Sequence, residues 1–177
     1  MIKTKNNMKT ENKESLRVYA KLGFSHLETA EVVSLLNKLL AAYHVHYQKL
    51  RNFHWNVVGP DFFDVHEKFE EQYNEVKLNI DDVAERIRIF DKRPISTLSE
   101  YLEISEIKEV KEEITSTQMV REILADFEIL LSLMIDVVEA ANSVGDLGTQ
   151  DLINGFIKKM EKTHWMFTAF LKAEKDV

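Results

Sequence analysis

A chain of 177 residues with only five glycines and two prolines has few means of turning sharply. Together these two residue types make up about 4% of the chain, where roughly 12% is usual. Tight hairpins, bulges and close corners depend on them. Sandwiches, barrels and most α/β folds are therefore disfavoured, which leaves long helices joined by a handful of corners. The glycines at 23, 59, 145, 148 and 155 cannot assemble a phosphate-cradling loop or a dinucleotide fingerprint, so nucleotide enzymes of those classes are excluded.

Hydrophobic periodicity fills in the helices. Val32, Leu35, Leu36, Leu39, Leu40, Tyr43, Tyr47, Leu50 and Val57 recur at helical spacing across 28–58. Gly59-Pro60 stops that helix, and Asp61 and Asp64 supply an N-cap and a first-turn acid for a second, over 62–91. Pro94 ends the second helix, and Thr97 with Glu100 forms a capping box before a short helix over 98–103. Ser116 or Thr117 opens the third long helix, with Val120, Ile123, Leu124, Phe127, Leu130, Leu131, Met134, Val137 and Val138 on its apolar face. The fourth runs from 149 or 150 to about 174 and is expected to bury Leu152, Ile153, Phe156, Ile157, Met160, Trp165, Phe167 and Phe170. The expected fold is all-α, a four-helix bundle of ferritin-like connectivity with a short extra helix between the second and third long helices.

Charge divides the chain in two. Residues 1–24 carry Lys3, Lys5, Lys9, Lys13, Arg17 and Lys21 against Glu11 and Glu14, giving +4, so the remainder of a chain of net charge −7 carries −11. The expected organisation is a basic arm over 1–24 and a bundle over 25–177. Such an arm can reach a polyanion such as DNA or simply be solvated. No apolar run suits a membrane span, nor does the start of the chain resemble a signal peptide, so a cytoplasmic protein is expected.

Because cysteine is absent, any metal must sit on His, Asp or Glu. On the second helix, with Phe62 as zero, His66 falls at about 40°, Glu70 at 80°, Asp81 at 100° and Glu85 at 140°. All four rim one side of an apolar stripe formed by Phe62, Phe69, Tyr73, Val76, Ile80 and Ile87. His66/Glu70 and Asp81/Glu85 are each pairs at i,i+4, able to chelate or merely to form a solvated face. From His66 to Glu85 is roughly 28 Å of helix, so the two pairs cannot share an ion within one chain. Two antiparallel copies about a twofold axis would bring them together. His54, six residues before Pro60 as His66 is six after it, reaches the same place across the hairpin. Two imidazoles and three carboxylates suit Fe(II), Mn or Zn.

These residues resemble a known family, the Dps proteins or miniferritins. His54-Trp55-Asn56-Val57-Val58-Gly59, followed after five residues by Val65-His66-Glu67-Lys68-Phe69-Glu70, is similar to the family's first signature. Asp81-Asp82-Val83-Ala84-Glu85-Arg86, with Pro94 eight residues on, is similar to the second. The resemblance extends from about Glu31 to Leu171. It implies a dodecameric cage that oxidises Fe(II), readily with hydrogen peroxide, at a di-iron site and stores ferric mineral, protecting against oxidative damage. The implied ligands are His54, His66, Glu70, Asp81 and Glu85, at a subunit dimer interface. Glu70 departs from the aspartate many members carry, which bears on the weaker metal position.

Beside that set, Trp55 is either a sacrificial reductant or a packed aromatic. Asp146 and Asp151 either line a threefold iron-entry pore, as the resemblance implies, or serve the helix dipole. Lys3, Lys5, Lys9, Lys13 and Arg17 are the candidate DNA contacts. The single Glu161-Lys162-Thr163-His164 motif does not support the two-motif di-iron design within one bundle, and His164 is expected to be a packing residue. His44 and His46 face different sides of their helix, and His26 has no assigned role. The alternatives are a nucleoid DNA-binding protein whose metal site is mainly structural, and a silent helical bundle.

Overall fold

A computed structural model describes residues 29–172 as five helices: α1 (Ala30–Asn56), α2 (Phe62–Ile89), α3 (Leu98–Ile104), α4 (Ser116–Ser143) and α5 (Leu147–Lys172). The basic arm expected over 1–24, with its lysines, lies outside the described residues. The α1–α2 and α4–α5 hairpins lie together through α1 and α4, and α3 crosses between them against α1. Leu36, Leu39, Tyr43, Leu50 and Phe53 from α1 meet Phe69 and Ile87 from α2 and Ile123, Phe127, Leu130 and Met134 from α4 in a fully buried centre. Each such side chain withdrawn from water contributes about 1.5–3 kcal/mol before conformational entropy is counted, so packing along these stripes decides the fold.

Each long helix ends by a local device. Val57 leaves α1 in extended backbone, and Gly59 at φ +117° occupies a conformation closed to most side chains before the Phe62 N–H donates back to its carbonyl. Where α2 ends, the Asp91 N–H donates to the Arg88 carbonyl and the Lys92 N–H to that of Ile87. Asp91 sits at φ 60° in this Schellman-type stop. Helix α2 is thus finished before Pro94, which only prevents resumption. The same pair of bonds closes α4, from Gly145 to Asn142 and from Asp146 to Ala141, with Gly145 at φ 68°.

Several expected boundaries shift for identifiable reasons. Helix α4 is opened by Thr115 rather than Ser116 or Thr117, because Thr115 and Gln118 form a reciprocal capping box. Asp61 precedes α2 but caps nothing with its side chain; its Oδ2 instead accepts from the Ser116 hydroxyl at 3.3 Å, joining two helix starts. The Thr97/Glu100 capping box forms as expected. Helix α5 begins at Leu147, two to three residues early, since Asp146 supplies its cap. Trp165, expected in the core, is 67% exposed: Phe167 and Leu171 take the inward positions at that end.

The long connection is held by polar groups of α1. Asn37 Oδ1 accepts from the Ile95 N–H at 3.0 Å, and Asn52 Nδ2 donates to the Val110 carbonyl at 3.0 Å. Between them the His44 ring stacks on Tyr101 at 3.8 Å. These side chains give the crossover a fixed path along α1 and explain why polar residues interrupt an otherwise apolar helix.

Candidate metal centre

The α1–α2 corner sets two histidines face to face. The rings of His54 and His66 stack at 3.8 Å, 22° apart, with Phe62 behind His66 at 4.9 Å and the edge of Tyr73 against His54 at 5.3 Å. His54 Nδ1 lies 2.9 Å from the His66 carbonyl, and His66 Nδ1 lies 2.8 Å from the His54 carbonyl. A carbonyl only accepts, so both Nδ1 atoms must carry the proton, and both Nε2 lone pairs are left for a ligand. Such outer bonds orient metal-binding imidazoles and raise their basicity. The carbonyl of His54 is available because α1 ends two residues later.

Glu70, one turn beyond His66, completes a group of three: one donor atom from each of His54, His66 and Glu70 lies within 4.8 Å of the others. His54 is buried, His66 half-buried and Glu70 exposed, so the cluster opens outward from the bundle. Two neutral imidazoles and a carboxylate suit a divalent first-row cation and leave coordination positions free. Glu70 Oε1 also accepts the Tyr73 hydroxyl at 3.1 Å. Burial, followed by this bond and the charge of Glu70, raises the Tyr73 phenol above its ordinary pKa.

Asp81 and Glu85 are not brought to this group. They are exposed farther along the same continuous helix, as the 1.5 Å rise requires. Trp55 is 57% exposed, with the Arg51 guanidinium 4.6 Å from its ring centre, so within the chain it is not a core aromatic. Asp151 is exposed.

Of the two readings of Asp146, the one that places it at a helix start has a direct counterpart within the chain. Asp146 is 1% exposed, and its carboxylate caps α5 at the Thr149 N–H while accepting from the Thr149 hydroxyl and the Arg86 guanidinium. The Arg86 guanidinium lies where a Cβ on Gly148 would meet it at 3.0–3.2 Å, so glycine there permits the contact that ties α5 to α2.

Two groups stand out that the linear pattern did not. Tyr73 belongs to the apolar stripe of α2 by spacing, yet its hydroxyl serves a candidate ligand; its place three residues after Glu70 was the available signal. His46, Lys49 and Asp126 form a buried polar cluster between α1 and α4, with Asp126 accepting from Lys49 at 2.7 Å and lying 2.8 Å from His46 Nδ1. Nothing local in sequence pairs residues 80 positions apart.

A helical hairpin carrying this donor set, with a crossover to a second hairpin, defines a ferritin-like protein, and the ferritin-like domain family matches residues 33–177. The DNA protection during starvation protein 2 of Bacillus anthracis is 44% identical over 141 residues, covering 80% of this chain and 97% of its own. General stress protein 20U of Bacillus subtilis is 40% identical over the same length, with the same coverage. Among solved structures, the Dps protein of Vibrio cholerae O1, described as one of the ferritin-like diiron-carboxylate proteins, superposes with a TM-score of 0.83. It is 38% identical and covers 85% of this chain and 95% of its own. The chain belongs to the Dps family.

Proposed function

We propose that this protein oxidises Fe(II), with hydrogen peroxide as preferred oxidant, and stores the ferric product inside a dodecameric cage in the cytoplasm. The observation that carries this reading is the split ligand set. His54, His66 and Glu70 converge in one chain, while Asp81 and Glu85 stand exposed farther along α2, roughly 17 Å from Glu70 at the nearest and roughly 28 Å from His66 at the farthest. A twofold partner brings its own Asp81 and Glu85 to the first three ligands and creates two equal centres per dimer. Among the described residues no helix is long and apolar enough to cross a membrane.

Iron is the substrate of this reaction. Two Fe(II) each lose one electron, and peroxide takes both with two protons as its O–O bond breaks, giving two waters and no hydroxyl radical. Hard carboxylate oxygens favour the ferric over the ferrous ion, which drives the electron loss. The imidazoles, fixed as Nδ1–H tautomers, hold the ions in place. Trp55, exposed beside His54, is the electron donor of last resort when one iron alone meets peroxide. Asp146 and Asp151 are the acids proposed for an entry path.

Anaerobic addition of Fe(II) followed by peroxide, read by absorbance alongside light scattering, tests this function. Rapid ferric absorbance in an assembly of about twelve chains is expected; a monomer that leaves Fe(II) unoxidised would reject it.

A second reading, nonspecific DNA binding, is favoured by the +4 of residues 1–24. Several relatives carry "DNA protection" in their names. Lys3, Lys5, Lys9, Lys13 and Arg17 are the proposed phosphate contacts, with the iron site then mainly holding subunits together. Binding by counterion release weakens steeply with salt. A gel shift at low salt should therefore be lost both at 200 mM salt and on deletion of residues 1–24; an unchanged shift after the deletion removes the arm from the account.

A further inference from the structure

Glu70 is the exposed member of the three-ligand group, and an exposed glutamate has three rotatable bonds with which to leave it. Tyr73 opposes that freedom. Its hydroxyl donates to Glu70 Oε1 at 3.1 Å, and its ring stands edge-on to His54 at 5.3 Å and 80°. A second tyrosine, Tyr47 of α1, meets the Tyr73 ring at 6.1 Å and 87°, and the Arg51 guanidinium carbon lies 5.3 Å from the centre of the Tyr47 ring. One side chain thus touches two members of the candidate ligand set and is braced by the opposite helix.

We infer that Tyr73 is a positioning residue for the metal centre, turning Oε1 of Glu70 aside so that Oε2 is the oxygen presented to the cation. This rests on the metal-centre reading above. Physically, the phenol occupies one acceptor oxygen of a carboxylate that otherwise offers two, and so favours a single-oxygen ligand over a chelating one. It also fixes the carboxylate relative to the imidazole of His54, because the hydroxyl holds the one and the ring meets the other.

Co(II) is a suitable probe, since its visible bands report coordination and its binding requires no oxidation. In the full-length metal-free protein, Tyr73→Phe keeps the ring and removes the hydroxyl. The expected results are a changed Co(II) spectrum and about a 10-fold weaker affinity, in the range outer-sphere partners of metal ligands command. In a double-mutant cycle, adding Tyr73→Phe to Glu70→Ala should cost nothing further, because the tyrosine acts through the glutamate. Unchanged spectrum and affinity in Tyr73→Phe, or additive losses in the cycle, would overturn the inference while leaving the metal centre standing. If the parent protein does not bind Co(II), or if His54→Ala binds it unaltered, the metal-centre reading falls and the inference with it.

Discussion

His54→Ala and Asp81→Ala are each expected to abolish Fe(II) oxidation, and co-assembly of the two inactive chains is expected to restore about a quarter of it. Removing a direct ligand should cost more than the 10–100-fold that outer-sphere partners cost, so each variant alone should lie near background. The restoration follows from geometry. If a centre takes His54, His66 and Glu70 from one chain and Asp81 and Glu85 from the other, a mixed dimer has one centre with both defects and one with neither. Random pairing makes about half the dimers mixed, and half of their centres intact. Co-expressing the variants with different tags, purifying on both in turn and measuring peroxide-driven oxidation would check this. Assemblies as inactive as either variant alone would show that the acids do not act across a twofold. Full activity in Asp81→Ala would remove that residue from the centre.

The same contrast separates what a single stretch of chain determines from what the packed fold determines. Helix number, the crossover and the convergence of His54 with His66 follow from short-range facts: apolar spacing, a Gly-Pro stop and a count of six residues either side of it. The distance that forbids Asp81 and Glu85 from joining them is equally a property of one continuous helix. What escaped was set by contacts between distant segments. The pattern places Asp146 at a helix start, where it does cap α5, but gives no sign of its pairing with Arg86, 60 residues earlier. Trp165 reads as core because aromatic residues usually are, but three-dimensional packing gave the inward positions to its neighbours. Helix ends moved where a backbone stop, at Asp91, or a better cap, Thr115, outcompeted the proline or serine nearest in the pattern. Tyr73 was placed on the correct face, yet its hydroxyl has a role that hydrophobic periodicity does not register.

Asp126→Ala is expected to destabilise the bundle by about 3–5 kcal/mol, the range for removing one partner from a buried ion pair. Asp126 is 3% exposed, is the counter-ion of Lys49 and contacts the His46 ring, these two being 5% and 0% exposed. Its loss leaves an ammonium in the α1–α4 interface with only Glu122, at 3.7 Å and half exposed, to offset it. Glu122 should hold the cost toward the lower end, because a longer pair near solvent recovers little. The cluster need not be a net source of stability for this to hold. His46 Nε2 finds no hydrogen-bond partner among the described residues, so part of the network is already unfavourable. A triple variant, His46→Leu, Lys49→Met and Asp126→Leu, should therefore fall within about 1–2 kcal/mol of the parent or exceed it, since apolar groups of similar size avoid both desolvation terms. Urea denaturation at one fixed protein concentration separates the cases: the single variant should lower the midpoint sharply at constant m, and the triple should recover it. If the triple is as unstable as the single, the ionic cluster itself holds α1 against α4. In that event the placing of His54, five residues beyond Lys49 on α1, would depend on a charge network rather than on the apolar seam.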